Sequence, residues 1–450
     1  MQQIDFSQGS IRRRILAVAT PMLIAQLLNL LYNIVDRIYI GKIPGEGTLA
    51  LASIGLCFPF VTLITAFANL FGLGGAPLCA MARGKGNREG AQGIMVNAGF
   101  MLLLSGAVLT VLGIAFHRPL LYLFGASKVT YPYASSYIVI YLIGTLCVML
   151  SLGLNPYINC QGFARTGMLT VALGAAANIV LDPIFIFALH LGVRGAAIAT
   201  VLSQFLSAAW VVKFLTGKKA ELKLDFRGFR PDRQCIQRIT VLGIASFVMS
   251  FTDTLVQVAC NATLRNFGGD LYISVMTVLN SVRQIAQTPV LAIADGASTA
   301  ISYNYGAGLY KRTRDAIRFM TQIAIGYTML VWMLVSLFPA LFIRIFNQDT
   351  ELVAAAVPAL HIYFFGFVMM AFQYAGQSTF RALGRAKYAV FFSLLRKAFI
   401  VVPLTLLLPY CWNLGVSGVF AAEPVSNCIG GLACYFTMRH VVMPELKMEN

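Results

Sequence analysis

The sequence predicts an all-α polytopic membrane protein of twelve transmembrane helices, built as two parallel-repeat six-helix bundles. Three observations predict it. Of 450 residues, 58% are hydrophobic and 11% charged, against about 25% charged in an ordinary soluble domain. Apolar runs of about 20 residues, enough to cross a hydrocarbon core of roughly 30 Å, recur along the whole chain. Basic residues crowd into alternate loops. A soluble fold could not hide so much apolar surface, because the buried fraction of a chain rises slowly with size. The excess faces lipid.

Spans are expected near residues 15–40, 49–80, 94–117, 131–155, 167–190 and 195–216. A second set follows near 239–264, 271–303, 317–343, 352–380, 388–410 and 415–437. The first run, from Ile15 onward, is longer than a signal-peptide core and lacks an A-x-A site, so it reads as a retained span. The alternating short strands of a membrane barrel are not seen.

The net charge of +17 invites a nucleic-acid reading, which the distribution of charge excludes. Arg12, Arg13 and Arg14 precede span 1, and Arg83, Lys85 and Arg88 follow span 2. Eight basic residues lie between Lys213 and Arg238. Lys311, Arg312, Arg314 and Arg318 follow span 8, and Arg381, Arg385 and Lys387 follow span 10. The opposite loops are sparse in such residues. That asymmetry is the positive-inside rule, with both termini cytoplasmic and the chain in the cytoplasmic membrane. The nine cysteines include no C-x-x-C pair. They suggest neither a disulfide framework nor a metal site.

The hydrophilic stretch around residues 217–237 divides a bundle of residues 1–216 from one of residues 238–450. The halves resemble each other. Leu191-Gly192-Val193-Arg194-Gly195 recurs as Leu414-Gly415-Val416-Ser417-Gly418, and Gly84-Lys85-Gly86 matches Gly306-Ala307-Gly308. One duplication explains both pairs, since they are separated by about the same stretch of sequence. Six spans per half give both halves the same orientation, hence parallel repeats with a functional cleft between or inside them. Two lobes that can rock suit alternating access.

Carboxylates inside a bilayer cost a few kcal/mol on insertion scales and are functional candidates by default. Asp182 stands out, with Asn178 one helical turn before it on the same face. Counted from Arg165, Asp182 lies roughly 25 Å into its helix, in the outer half of the membrane. Asp36 and Thr200 reach a comparable level. Two carboxylates, an amide and a hydroxyl make an oxygen-rich group that suits a hard cation, and a close acid pair can carry a proton at physiological pH. The alternative pairs Asp36 with Arg37 and makes Asp182-Pro183 a kink.

In the second half, Asp253, Arg283 and Glu423 fall near the midplane, while Asp295 falls at the depth of Arg396 and Lys397. Opposite charges at matching depth usually neutralise each other, so structural ion pairs are favoured over a second site. Tyr32, Tyr141, Asn155 and Asn159 are candidate cleft residues. Pro21, in the span of Asp36, leaves its helix short of one hydrogen bond. There is no phosphate loop, no H-E-x-x-H and no nucleophile–base spacing, so neither ATP use nor enzymatic chemistry is expected.

The chain resembles the multidrug and toxic compound extrusion (MATE) family over nearly its whole length. The likeness is carried by Ala19-Thr20-Pro21, Val35-Asp36 and Gly41, and by Asn178-Ile179-Val180-Leu181-Asp182-Pro183. It continues in Leu191-Gly192-Val193-Arg194-Gly195-Ala196, Ser302-Tyr303-Asn304-Tyr305-Gly306-Ala307-Gly308, Arg381-Ala382-Leu383-Gly384 and Ala422-Glu423-Pro424. The resemblance implies a V-shaped pair of bundles and export of cationic or amphipathic small molecules against H⁺ or Na⁺, without other cofactors, by a monomer. It implies a cation site in the N-terminal half, at Asp36, Asn178, Asp182 and Thr200, with the Ala196 carbonyl a further ligand. Pro21 matches the proline associated with bending of span 1. The other bacterial branch, with carboxylates in spans 7 and 10, is not matched at Phe372-Gln373-Tyr374, which holds no acid. Asp295 stands where family members often carry Gln. A lipid-linked oligosaccharide flippase is the nearest alternative and would need a cavity ringed by basic residues. A membrane enzyme and a channel are further ones.

Overall fold

The computed structural model describes residues 3–44, 46–346 and 348–448, and among them there is no β-strand. Twelve helical segments follow one another. α1 spans Ile11–Gly41, α2 Leu49–Gly84 and α3 Arg88–Leu123. α4 is a pair, Tyr131–Ile143 and Thr145–Cys160, bent by 56°. α5 is Ala164–Ala188 and α6 Gly192–Thr216. α7, Arg233–Gly269, ends where Gly269 leaves helical geometry at φ 65°, and α8 covers residues 270–306. α9 is Tyr310–Leu337, and α10 is Thr350–Phe364 with Met369–Ala382, bent by 50°. α11 spans Ala386–Cys411. α12 runs from Val416–Ser426 through Leu432–Met448.

Eight of these helices are long and apolar enough to cross a membrane, and ten if each bent pair counts as one span. The remaining two are α8 and α12. Polar residues such as Asn280, Arg283, Gln284 and Asp295 dilute α8, and a π-helical turn at Asn427–Gly431 interrupts α12. On α1, Leu27, Leu31, Ile34 and Ile38 are exposed at helical spacing, a stripe that meets lipid. The face opposite carries Gln26, Asn29, Tyr32 and Asp36.

Packing divides the chain into two compact units. Pro21–Gly243, joined by residues 3–5, forms one; Phe6–Thr20 with the chain from Ile244 onward forms the other. The expected first bundle of residues 1–216 contains all of α1, whereas here α1 changes unit at Thr20–Pro21. The stretch 217–237 goes with the first unit because it is pinned there. Ala220, Leu222 and Leu224 are buried. The Leu222 amide donates to Gln161 Oε1 at 2.9 Å, and the Asp232 amide to Asn97 Oδ1 at 2.9 Å. Glu221 accepts from Arg83.

The internal repeat has a structural counterpart at its glycines. Gly192 and Gly415, one at the start of α6 and one before α12, have φ of +54° and +51°. Three residues on, a Cβ at Gly195 would lie 2.5 Å from the Phe185 carbonyl oxygen, and one at Gly418 would lie 2.7 Å from the Leu408 carbonyl carbon. Both copies of L-G-V-x-G therefore make the same left-handed turn followed by a close backbone approach, which is why only glycine serves at these places. Gly86 and Gly308, at φ +73° and +71°, repeat a second turn before α3 and α9.

Candidate functional site

Within the first unit, α1 and α5 bring the carboxyl groups of Asp36 and Asp182 together as a close pair. Two ionised carboxylates so close in a low-dielectric interior repel, which favours a proton or a cation shared by the pair. Asp182 is fully buried, and Asn178 Nδ2, one turn earlier, donates to its Oδ1 at 3.2 Å. The helix changes pitch just past this point. Pro183 removes one main-chain donor, and Ile184–Ala188 continue as a π-turn, a device often found at functional sites.

Asp36 Oδ1, Asp182 Oδ2, Asn178 Oδ1 and Thr200 Oγ1 are buried without a hydrogen-bond partner among the described residues. Four orphaned oxygens in one apolar bundle are costly. They make a donor set that a proton or a small hard cation would satisfy. Ala196 is buried one turn before Thr200 on α6. Arg37, the alternative partner for Asp36, follows it on the same helix and lies exposed.

Asn178 and Thr200 line a cavity of about 380 Å³ that also takes in Tyr32, Asn155 and Asn159. Tyr141 is not part of this lining; it stacks on Tyr137 with ring centroids 6.1 Å apart. No Lys, Arg, Asp or Glu lines the cavity among the described residues, which is the reverse of the basic ring a flippase of charged lipid-linked sugars would need.

The sequence reading missed Gln26 and Asn29 on α1, and Ser203 and Ser207 on α6, all of which line the cavity. Helical spacing could have found them. Gln26 and Asn29 precede Tyr32 on one face, and Ser203 and Ser207 follow Thr200 at i+3 and i+7. It also missed Gly167, where a Cβ would come within 2.2 Å of Asn159 Oδ1.

In the second unit, Glu423 is the centre of an ion cluster. Arg283 donates to it at 2.6 Å and Arg396 at 3.1 Å, while Lys397 Nζ lies 3.7 Å away. Lys397 also meets Asp253 at 2.7 Å, and Arg396 donates to Asn427 Oδ1 at 2.5 Å. Three cations thus share two carboxylates around a cavity of about 80 Å³. One expectation is corrected. Asp295, placed by depth with Arg396 and Lys397, instead faces Arg381 at 3.8 Å. Depth does not fix the direction a side chain faces: Arg396 and Lys397, at the start of the π-helical segment Leu395–Val401, turn to Glu423 and Asp253.

A MatE family model matches the chain twice, over residues 21–184 and 245–407. The multidrug export protein MepA of Staphylococcus haemolyticus is 24% identical over 436 residues, covering 97% of this chain and 95% of its own. An FAD transporter of Shewanella oneidensis is 26% identical over 447 residues, covering 96% of each chain. Among solved structures, that of MATE in the bent conformation superposes with a TM-score of 0.93 at 24% identity, over the full length of both chains. The likeness therefore extends from the fold of each repeat to the whole chain.

Proposed function

Because the chain belongs to the MatE family of multi-pass membrane transporters, we propose that it exports small organic compounds in exchange for H⁺ or Na⁺, through the branch mechanism that couples in the N-terminal half. The observation that carries this reading is the Asp36–Asp182 contact beside the 380 Å³ cavity. With both carboxyls ionised the pair is unstable in low dielectric, so it must hold a proton or a cation. Asn178 belongs to both parts: it donates to Asp182 and lines the cavity. A change of charge at the pair is thereby felt where a substrate would sit. Pro21 interrupts the hydrogen bonding of α1, and bending there would reshape the face that carries Tyr32 and Asp36. The uncharged polar and aromatic lining suits amphipathic compounds. Both termini lie on the cytoplasmic side in this reading, as the basic loops require.

A second reading of the substrate has an observation of its own. The cluster around Glu423 carries three cations against two carboxylates, an excess of positive charge that favours an acidic group. The FAD transporter among the relatives fits a compound of that kind. Proteoliposomes under separately imposed pH and Na⁺ gradients test both readings, with a cationic dye and FAD as alternative cargoes. Gradient-driven movement of the dye supports the first and of FAD alone the second. Movement of neither cargo, with either gradient, contradicts the proposal.

A further inference from the structure

We propose that the groove between the first half of α9 and the last turns of α12 is a binding site for the headgroup of an anionic phospholipid. The groove, about 330 Å³, is lined by Arg314 and Arg318 from α9 and by Arg439 and Lys447 from α12. Each set follows the i, i+4 rhythm that puts side chains on one helix face: Arg314, Arg318, Gln322 and Ile325 on α9, then Tyr435, Arg439, Met443 and Lys447 on α12. The two faces meet, and four cations converge.

Two features separate this groove from the general run of basic loop residues. The first is pairing. Arg83 is bound by Glu221, Arg385 by Glu445 and Arg381 by Asp295, and Arg312 donates to the main chain of Phe6 and Gly9. None of the four groove cations forms an ion pair among the described residues, and no acid lines the groove. The nearest acid along α12, Glu445, is held by Arg385 and by the Tyr305 hydroxyl.

The second feature is the gradient of polarity along the groove. The four cations sit toward the basic loops, with Met443 between Arg439 and Lys447; toward the interior of the spans the wall becomes Gln322, Ile325 and Tyr435. A soluble anion would use only the charged end. A phospholipid uses both, with phosphate on the guanidinium groups and an acyl chain along the apolar wall. Basic pockets between transmembrane helices on that side of a membrane are suited to such headgroups. With four cations available, a lipid bearing two phosphates should bind better than one bearing a single phosphate.

Native mass spectrometry of the purified full-length chain tests this, with cardiolipin, phosphatidylglycerol or phosphatidylcholine added to the detergent. The expected order is cardiolipin, then phosphatidylglycerol, then phosphatidylcholine, with retention of cardiolipin about tenfold above phosphatidylcholine. The double variant Arg318→Gln/Arg439→Gln should lose most of that preference, and Lys447→Gln, in the exposed last turn, part of it. Equal retention of the three lipids by the wild type would overturn the proposal without recourse to any variant. So would an unchanged preference in the folded double variant or in Lys447→Gln, which would place the lipid elsewhere. Thermal protection by inorganic phosphate, or by an acidic peptide, equal to that by cardiolipin would overturn the lipid as occupant.

Discussion

In the proposed mechanism Asp182 carries the exchangeable charge. It is fully buried, it meets Asp36, and its one amide donor is Asn178. Asp182→Asn keeps the shape and can still hydrogen-bond Asp36, so the variant should insert and fold. It loses the exchangeable charge, and gradient-driven export should fall to background; the same holds for Asp36→Asn. Transport in vesicles beside a measurement of membrane-inserted protein checks this, and full activity in both variants would remove the pair from the mechanism. Gly167 gives a second residue-scale prediction. A side chain there enters the space of Asn159 and Asn155, with Cβ 2.2 Å from Asn159 Oδ1. Gly167→Val should weaken binding of an amphipathic substrate about tenfold, the loss of roughly one hydrogen bond, while the protein remains in the membrane. Equilibrium binding to purified variant measures it, and unchanged affinity would place the substrate outside this cavity.

At the scale of elements, the bent and π-helical segments decide who meets whom. The sequence reading reached Asp36, Asn178, Asp182 and Thr200 by counting residues from a loop, which works where helices are regular. It set Asp295 level with Arg396 and Lys397, but depth alone does not say which way a side chain faces, and Asp295 meets Arg381. Periodicity specifies a face, not a neighbour: Arg283 and Glu423 were read at one level and Arg396 and Lys397 at another, yet the four meet. That cluster makes a prediction of magnitude. Glu423 is 5% exposed and serves three cations, so Glu423→Ala leaves buried charge uncompensated, a loss of about 3–5 kcal/mol for such a site. Asp253 is 45% exposed, and Asp253→Ala should cost far less. Thermal unfolding of the two variants should separate them clearly; equal midpoints would mean that the cluster contributes little to the fold. The linker is a further case. It reads in sequence as a hydrophilic tether, yet Leu222 and Leu224 are buried and their amides are bonded. Trypsin should therefore cut first after exposed Arg227 rather than after Lys223. Mass spectrometry of early fragments decides, and cleavage dominated by Lys223 would show a looser linker than the structure describes.

For the whole molecule, duplication accounts for the architecture and its failure to stay symmetric accounts for the division of labour. Paired glycine turns at Gly192 and Gly415 and at Gly86 and Gly308 survive in both halves, as does the family match. The charges have diverged: the first unit keeps two carboxyls beside an uncharged cavity, and the second neutralises its acids with arginine and lysine. In the proposed mechanism this asymmetry puts the coupling ion in one half. Linkage then requires that bound substrate and bound cation weaken each other by the same factor. The most direct test is the affinity of the purified protein for an exported compound, measured across pH and Na⁺ concentration in the wild type and in Asp182→Asn. The account predicts that wild-type affinity falls as the coupling cation rises, with H⁺ as that cation if acid weakens binding and Na⁺ if salt does. In Asp182→Asn the affinity should be independent of both. A wild-type affinity indifferent to pH and Na⁺, or a dependence that persists in Asp182→Asn, would contradict it.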